Sequence, residues 1–257
     1  MAQVIAVGNF KGGVGKTTVS VNLALALREE GHSVLLLDFD GQGQSSLYLT
    51  NDESLSLRPG GAERIMEGDA ALKGIETASG IDVLHGHRGL GSMDSGPGAT
   101  GEAASKLRAA IDSMDYDFIV IDVPPEMGFR MIAALMWADL FVIVTTPDPL
   151  AQNSTKQFLN VVRGFLQKRW VKPGFRFRIL LNMVDRASRS AVEEAEAARA
   201  NAPQFVVDTE LTLRRELVKR AFSMRIPVWQ VKRIPKEVAQ SWRDLPSSLG
   251  LVERNEA

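Results

Sequence analysis

Short runs of β-branched and other apolar residues alternate with longer stretches in which apolar positions recur every three to four residues, starting almost at the first residue. The runs predict strands over residues 3–8, 33–38, 81–84, 118–123, 140–145 and 177–183. The stretches between and after them predict helices over 16–30, 103–114, 128–137, 151–168, 190–200, 212–223 and 236–244, with Gly31 as a stop for the first. Several of the strands are apolar almost throughout, as strands buried on both sides must be. The alternation therefore predicts an α/β fold: a doubly wound, mostly parallel sheet with helices on both faces. The glycine-rich segment 85–101 breaks the pattern and reads as a mobile loop. No internal repeat or linker divides the chain, so residues 1–257 are expected to form one domain.

Composition narrows the chemistry. The 257 residues are 45% hydrophobic, an ordinary globular value that excludes disordered and fibrous classes. The chain has no cysteine, which removes disulfides, thiolate zinc sites, iron–sulfur clusters and cysteine nucleophiles together. His85 and His87 flank one glycine but have no carboxylate cluster beside them in sequence, so they read as part of a solvated loop rather than as metal ligands. The first residues lack the basic start and cleavage site of a signal peptide, and the most apolar stretch, 132–144, is broken by Asp139 and too short to span a bilayer. A cytoplasmic protein is expected. The net charge of −1 hides a division: residues 1–148 carry 10 basic and 20 acidic side chains, and residues 149–236 carry 18 and 7. That asymmetry predicts a basic surface in the second half.

The first strand runs into Asn9-Phe10-Lys11-Gly12-Gly13-Val14-Gly15-Lys16-Thr17-Thr18 and then directly into a helix. A strand, a glycine-rich turn and a helix N-terminus aim backbone N–H groups and the positive helix end at one point, which is how a chain cradles phosphate. Gly12, Gly13, Val14, Gly15, Lys16, Thr17 and Thr18 are thus the candidate phosphate contacts, with Lys16 directed at the β- and γ-phosphates and the Thr17 hydroxyl at Mg²⁺. The pattern departs from G-x-x-x-x-G-K-[ST] at its first position, where Phe10 is followed by a second lysine, Lys11. The second strand ends in Asp38-Phe39-Asp40-Gly41-Gln42-Gly43, placing carboxylates where ligands bind in parallel sheets. An apolar run ending in Asp122, before Pro124-Pro125, supplies a further acid for Mg²⁺, and Asn182 closes the sixth predicted strand.

These residues resemble the ParA/MinD family of P-loop ATPases, whose deviant Walker A loop carries the extra lysine, here Lys11. The likeness extends from residue 3 to about residue 246, through Thr209-Glu210-Leu211 and Arg225-Ile226-Pro227-Val228. Gly41 and Gln44 stand where the family usually has proline and asparagine. The resemblance implies ATP and Mg²⁺ as cofactors and Lys11, Lys16 and Asp40 as catalytic residues. Lys11 would reach the nucleotide of the partner in an ATP-bound homodimer, and Asp40 would orient the attacking water. Thr17, Asp38 and Asp122 would serve the metal, and Asn182 would read adenine. The chain begins in its first strand, so a separate N-terminal DNA-binding domain is not expected, and the short acidic end, 246–257, is a poor membrane anchor.

The charge division acquires a use in this setting. Residues 211–236 hold eight basic side chains and one acid, Glu216, and residues 149–184 hold seven basic and none acidic. In the predicted helix 212–223, Leu213, Leu217, Val218, Ala221 and Phe222 form an apolar stripe that leaves Arg214, Arg215, Lys219 and Arg220 on the other side. Either this is a solvated helix face or these four residues contact DNA. By resemblance the chain is an ATPase that binds nonspecific DNA as a dimer and partitions or positions a cargo, such as a plasmid, a chromosome origin or a protein assembly. A cargo-bound ParB-like activator would release it by stimulating hydrolysis, making it nucleoid-associated with no membrane partner. A membrane-cycling MinD or flagellar-number ATPase and a metabolic P-loop phosphotransferase are the alternatives.

Overall fold

The computed structural model describes residues 1–66, 73–94 and 100–253. Among them, β1 (Gln3–Gly8), β2 (Val34–Asp38), β3 (Ile75–Glu76), β4 (Asp82–Leu84), β5 (Phe118–Asp122), β6 (Leu140–Thr145) and β7 (Arg176–Leu181) form one sheet in the order β3-β4-β2-β5-β1-β6-β7. Every neighbouring pair is parallel except β3 with β4. The expected doubly wound sheet is therefore present, with boundaries moved by one or two residues. β3 is the addition, too short at two residues to show any alternation.

The helices are α1 (Lys16–Glu29), α2 (Gln44–Thr50), α3 (Glu63–Met66), α4 (Gly101–Asp112), α5 (Phe129–Trp137), α6 (Pro149–Gln167), α7 (Arg189–Asn201), α8 (Arg215–Met224), α9 (Lys236–Arg243) and α10 (Leu245–Ser248). Because strand side chains alternate between faces, Val4, Ala6, Leu35, Leu37, Ile119, Ile121, Phe141 and Ile143 point to one side, where α4 to α7 cover them. Ile5, Val7, Leu36, Val120, Val142 and Val144 point to the other, under α1, α8 and α9. Both faces are dry, which explains why these strands read as continuous apolar runs.

Local chemistry sets several helix starts. Thr100, Asp148 and Ser188 cap α4, α6 and α7 by accepting the N–H of Ala103, Ala151 and Ala191. α1 begins differently, at Gly15 in the left-handed region (φ 89°), with no side-chain cap. α8 starts three residues later than the apolar periodicity predicts, because Thr212 lies beside Val184 as a strand-like bridge and the Leu213 N–H donates to the Val184 carbonyl at 3.0 Å. Tertiary pairing overrides helical periodicity there. The same 205–211 segment hydrogen-bonds along the outer side of β7 at Ile179 and Leu181. Of the expected loop 85–101, Arg88–Asp94 forms a short 3₁₀ segment, and 95–99 lie outside the described residues.

Phe158 of α6 packs 4.9 Å from both Phe141 in the sheet and Phe10 in the loop after β1, so one buried ring joins the core to that loop. Phe158→Ala is expected to cost ~3–5 kcal/mol, read as a lower urea midpoint with an unchanged slope.

Candidate nucleotide site

The strand register assembles the site. Val7 lies opposite Asp122, and Asp122 lies opposite Asp38, so the loop after β1 and two carboxylates meet at the carboxyl ends of three adjacent strands. Asn9 anchors the loop: its buried amide donates to the Val144 carbonyl at 2.8 Å and to Thr155 Oγ1 at 3.2 Å. Phe10, in place of the usual first glycine, seats its ring against Phe158. Gly13 (φ 76°) and Gly15 (φ 89°) then turn the chain through the left-handed region. A Cβ on Gly15 would lie 2.3 Å from Asn182 Nδ2, so no larger residue fits.

Lys16 curls back beneath this loop and donates to the Lys11 carbonyl at 3.1 Å. Its side chain is buried and, among the described residues, its ammonium has no carboxylate within ion-pair distance. Burial lowers its pKa, and the more distant Asp122, Asp40 and Glu126 oppose that shift. A buried cation beside uncapped helix amides is an electrostatic vessel for a polyanion.

The acids face it. Asp38 is fully buried, its Oδ2 accepting from the Ser46 N–H (2.9 Å) and hydroxyl (2.6 Å) and its Oδ1 from the Asp40 N–H (3.1 Å). Burial raises its pKa against the pull of the Ser46 bonds. Asp122 accepts from the Ser20 hydroxyl at 3.0 Å through Oδ1, while its Oδ2 is buried with no hydrogen-bond partner. Burial and then the neighbouring Asp38 push the Asp122 pKa up, opposed by the nearby Thr17 hydroxyl. An orphaned, buried carboxylate oxygen beside a threonine hydroxyl is a hard-oxygen set that suits Mg²⁺, and a divalent charge would relieve the repulsion between the two acids. Asp40 is half-buried, at the turn, with Oδ1 accepting the Gln42 N–H at 2.9 Å.

The fold brings in three partners that sequence reasoning missed: Ser20 and Ser46, which hold the carboxylates, and Asp148, whose Oδ1 receives the Lys11 ammonium at 2.7 Å. Asp148 belongs to no motif in the sequence; it directly precedes Pro149. Partial burial pushes its carboxyl upward, but Lys11, the Thr146 hydroxyl and the Ala151 N–H outweigh that and hold it down to about 2.

Asn182 is buried against the loop, donating to the Val14 carbonyl at 2.8 Å and accepting the Met183 N–H at 2.9 Å. It thus braces Val14 and Gly15, and it also lines a cavity of about 200 Å³ with Thr18, Met183, Arg214, Arg215 and Lys219. Arg214, Arg215, Lys219 and Arg220 are all exposed as expected, and three of them form this wall beside the loop. Lys219 pairs with Glu216 at 3.2 Å, whereas Arg214, Arg215 and Arg220 have no ion-pair partner among the described residues.

Comparison with known proteins places this geometry in context. A family model described as an AAA domain matches residues 2–175. The sporulation initiation inhibitor protein Soj of Bacillus subtilis is 31% identical over 208 residues, covering 77% of this chain and 79% of Soj. The chromosome partitioning protein ParA of Caulobacter vibrioides is 30% identical over 239 residues, covering 88% and 86%. The solved structure of a variant of Cyanothece McdA in complex with ATP shares the fold at a TM-score of 0.85 and 18% identity, covering 98% of each chain.

The Lys11–Asp148 pair can be checked by titration. A carboxylate whose folded pKa lies below its unfolded value stabilises the fold above the ordinary carboxylate range and loses that contribution as pH falls toward the folded value. The Asp148 carboxyl should titrate near 2 by carbon-detected NMR, and in Lys11→Met it should move back up toward the ordinary range. An unmoved value would show that Lys11 does not hold it.

Proposed function

Because this chain belongs to the ParA/MinD family of P-loop ATPases, we propose that it binds Mg²⁺-ATP in the loop 9–18, dimerises around it, carries a cargo on nonspecific DNA and lets go after hydrolysis. The observation that carries the nucleotide reading is the buried Lys16 side chain, with no ion-pair partner among the described residues, under left-handed glycines and an uncapped helix start. Backbone N–H groups from Gly12 to Thr18 bind the phosphates, and Lys16 meets the charge of the β- and γ-phosphates. Thr17 and Asp122 would hold the metal, with Asp38 behind them, and Mg²⁺ held there would supply charge neutralisation for the phosphates.

Asp40 accepts a hydrogen bond from the attacking water. Such a group acts mainly in the transition state, so it governs turnover more than ATP affinity. In the single chain Lys11 is held by Asp148; in the dimer it exchanges that carboxylate for the phosphates of the partner subunit. Arg214, Arg215, Lys219 and Arg220 are presented twice in a dimer, which multiplies the phosphate contacts available to DNA. Three of these residues also wall the cavity next to Asn182, so nucleotide binding and the basic face are physically adjacent. A cargo-bound, ParB-like activator triggers hydrolysis, and the protein works in the cytoplasm on the nucleoid. No helix among the described residues is long and apolar enough to cross a membrane.

Four variants test this reading. Lys16→Ala should weaken ATP binding by about 100-fold or more in a calorimetric titration, since it deletes the point charge facing the phosphates; near-normal affinity would remove the site. The double change Arg215→Glu with Lys219→Glu should leave the fold and the ATP dimer intact while abolishing DNA binding, and single Arg215→Ala or Lys219→Ala changes should each lower the salt slope by roughly one unit for every DNA phosphate no longer neutralised. Since both side chains border the cavity, ATP affinity is measured in parallel. If the wild type with ATP binds anionic vesicles and not DNA at low salt, the membrane-cycling alternative replaces this reading.

A further inference from the structure

The turn that carries Asp40 is fastened from below by a residue with no role in the site so far. Arg130 lies in the first turn of α5, only 5% exposed. Its Nη1 donates to the Phe39 carbonyl at 2.6 Å, and Phe39 sits between Asp38 and Asp40. Its Nε donates to Asp94 Oδ2 at 3.0 Å, and Nη2 donates to the same oxygen. Asp94 Oδ1 in turn accepts the Arg130 N–H at 3.0 Å, so the carboxylate holds both the backbone and the guanidinium. The packing is tight enough that a Cβ on Gly128 would fall 2.2 Å from Asp94 Cγ. One guanidinium therefore ties together the 88–94 segment, the start of α5 just after Asp122-Val123-Pro124-Pro125, and the peptide leading into Asp40.

We infer that Arg130 is a positioning residue for hydrolysis: by holding the Phe39 carbonyl it fixes the plane of the Phe39–Asp40 peptide and hence where the Asp40 carboxylate points. The inference rests on the reading that Asp40 orients water. A charge-assisted hydrogen bond in a buried setting is short and directional, and a carbonyl held this way cannot rotate without leaving a buried cation under-satisfied. Among the described residues the hydrogen bonds of 40–43 are local: Asp40 N–H to Asp38, Gln42 N–H to Asp40, and Gly43 N–H to the Asp40 carbonyl at 3.0 Å. The Phe39 N–H donates to the Asp122 carbonyl at 3.0 Å. That bond fixes the near side of the residue, and Arg130 fixes the far side. Gly41 follows directly and, lacking the ring of a proline, gives the turn no stiffness of its own. Displacing a reacting group by about 1 Å costs on the order of 100-fold in rate, so slack here should appear in turnover.

The test uses the full chain with ATP, Mg²⁺ and DNA, comparing Arg130→Met, Arg130→Lys, Asp94→Asn and Asp40→Ala. Arg130→Met should keep the ATP dissociation constant within about threefold while kcat falls roughly 10- to 100-fold. Arg130→Lys should recover part of the loss, because an ammonium can reach the Phe39 carbonyl but cannot also span Asp94. Asp94→Asn, which preserves shape and leaves Arg130 in place, should lower kcat in the same direction and supports the inference even if Arg130→Met does not fold. Unchanged kcat in the Met or Asn variant, or a fall in ATP affinity equal to the fall in kcat/KM, would overturn it in favour of a purely structural clasp. Lost turnover in Asp40→Ala beside normal turnover in Arg130→Met would defeat the inference alone, whereas normal turnover in Asp40→Ala would defeat the Asp40 reading and this inference with it.

Discussion

Charges buried at the carboxyl ends of the parallel strands, and left unbalanced by the protein itself, are the constraint around which this molecule is organised. Asp38 and Asp122 are neighbours by strand register and almost completely buried, so each makes ionisation of the other costlier. Lys16 is buried opposite them without an ion-pair partner among the described residues. Ser20 and Ser46 reduce the penalty but do not cancel it. A polyanion accompanied by a divalent cation satisfies both halves together, the anion at Lys16 and the cation at the acids. The site is thus held in a state that an appropriate ligand stabilises, and folding stability is expected to be linked to ligand concentration.

The glycine loop bears the geometric side of the same constraint. Its positive φ values at Gly13 and Gly15 allow the backbone to wrap an anion, but a loop free enough to do that needs anchoring at its ends. Asn9 and Phe10 provide one anchor, through Val144, Thr155 and Phe158. Asn182 provides the other by bonding to Val14. The buried core under β6 and α6 is in this sense part of the nucleotide site, since the rings of Phe141 and Phe158 set where the loop begins.

What could be read from sequence follows from how far each interaction reaches along the chain. The strands, the loop 9–18 and the acids Asp38, Asp40 and Asp122 have local signatures: apolar runs, glycine spacing, and a carboxylate at a strand end. Lys11 with Asp148 joins residues 137 apart, and Arg130 with Phe39 joins residues 91 apart, and neither leaves a periodic trace. Asn182 was legible as a strand-end residue beside the site, but its bond to Val14 was not. The late start of α8 was hidden for a related reason, because the pairing of Thr212 with Val184 outweighs the helical spacing of Leu213 and Leu217. The short elements β3, α2, α3 and α10 were invisible because a two-residue strand and helices of four to seven residues are too brief for periodicity to emerge.

The two edges of the sheet bear on how copies of this chain can meet. At one edge the sheet ends in the two-residue antiparallel β3, which offers almost no ladder to extend. At the other, the upper half of β7 already hydrogen-bonds to the 205–211 segment, and the lower half carries Arg176 and Arg178, charges that resist an added strand. Joining two sheets into one continuous sheet is therefore disfavoured at both ends. Self-association is left to surfaces made of loops and helices, whose shape can change with what they hold, and this separates reversible assembly from the irreversible edge-to-edge pairing that leads to fibres.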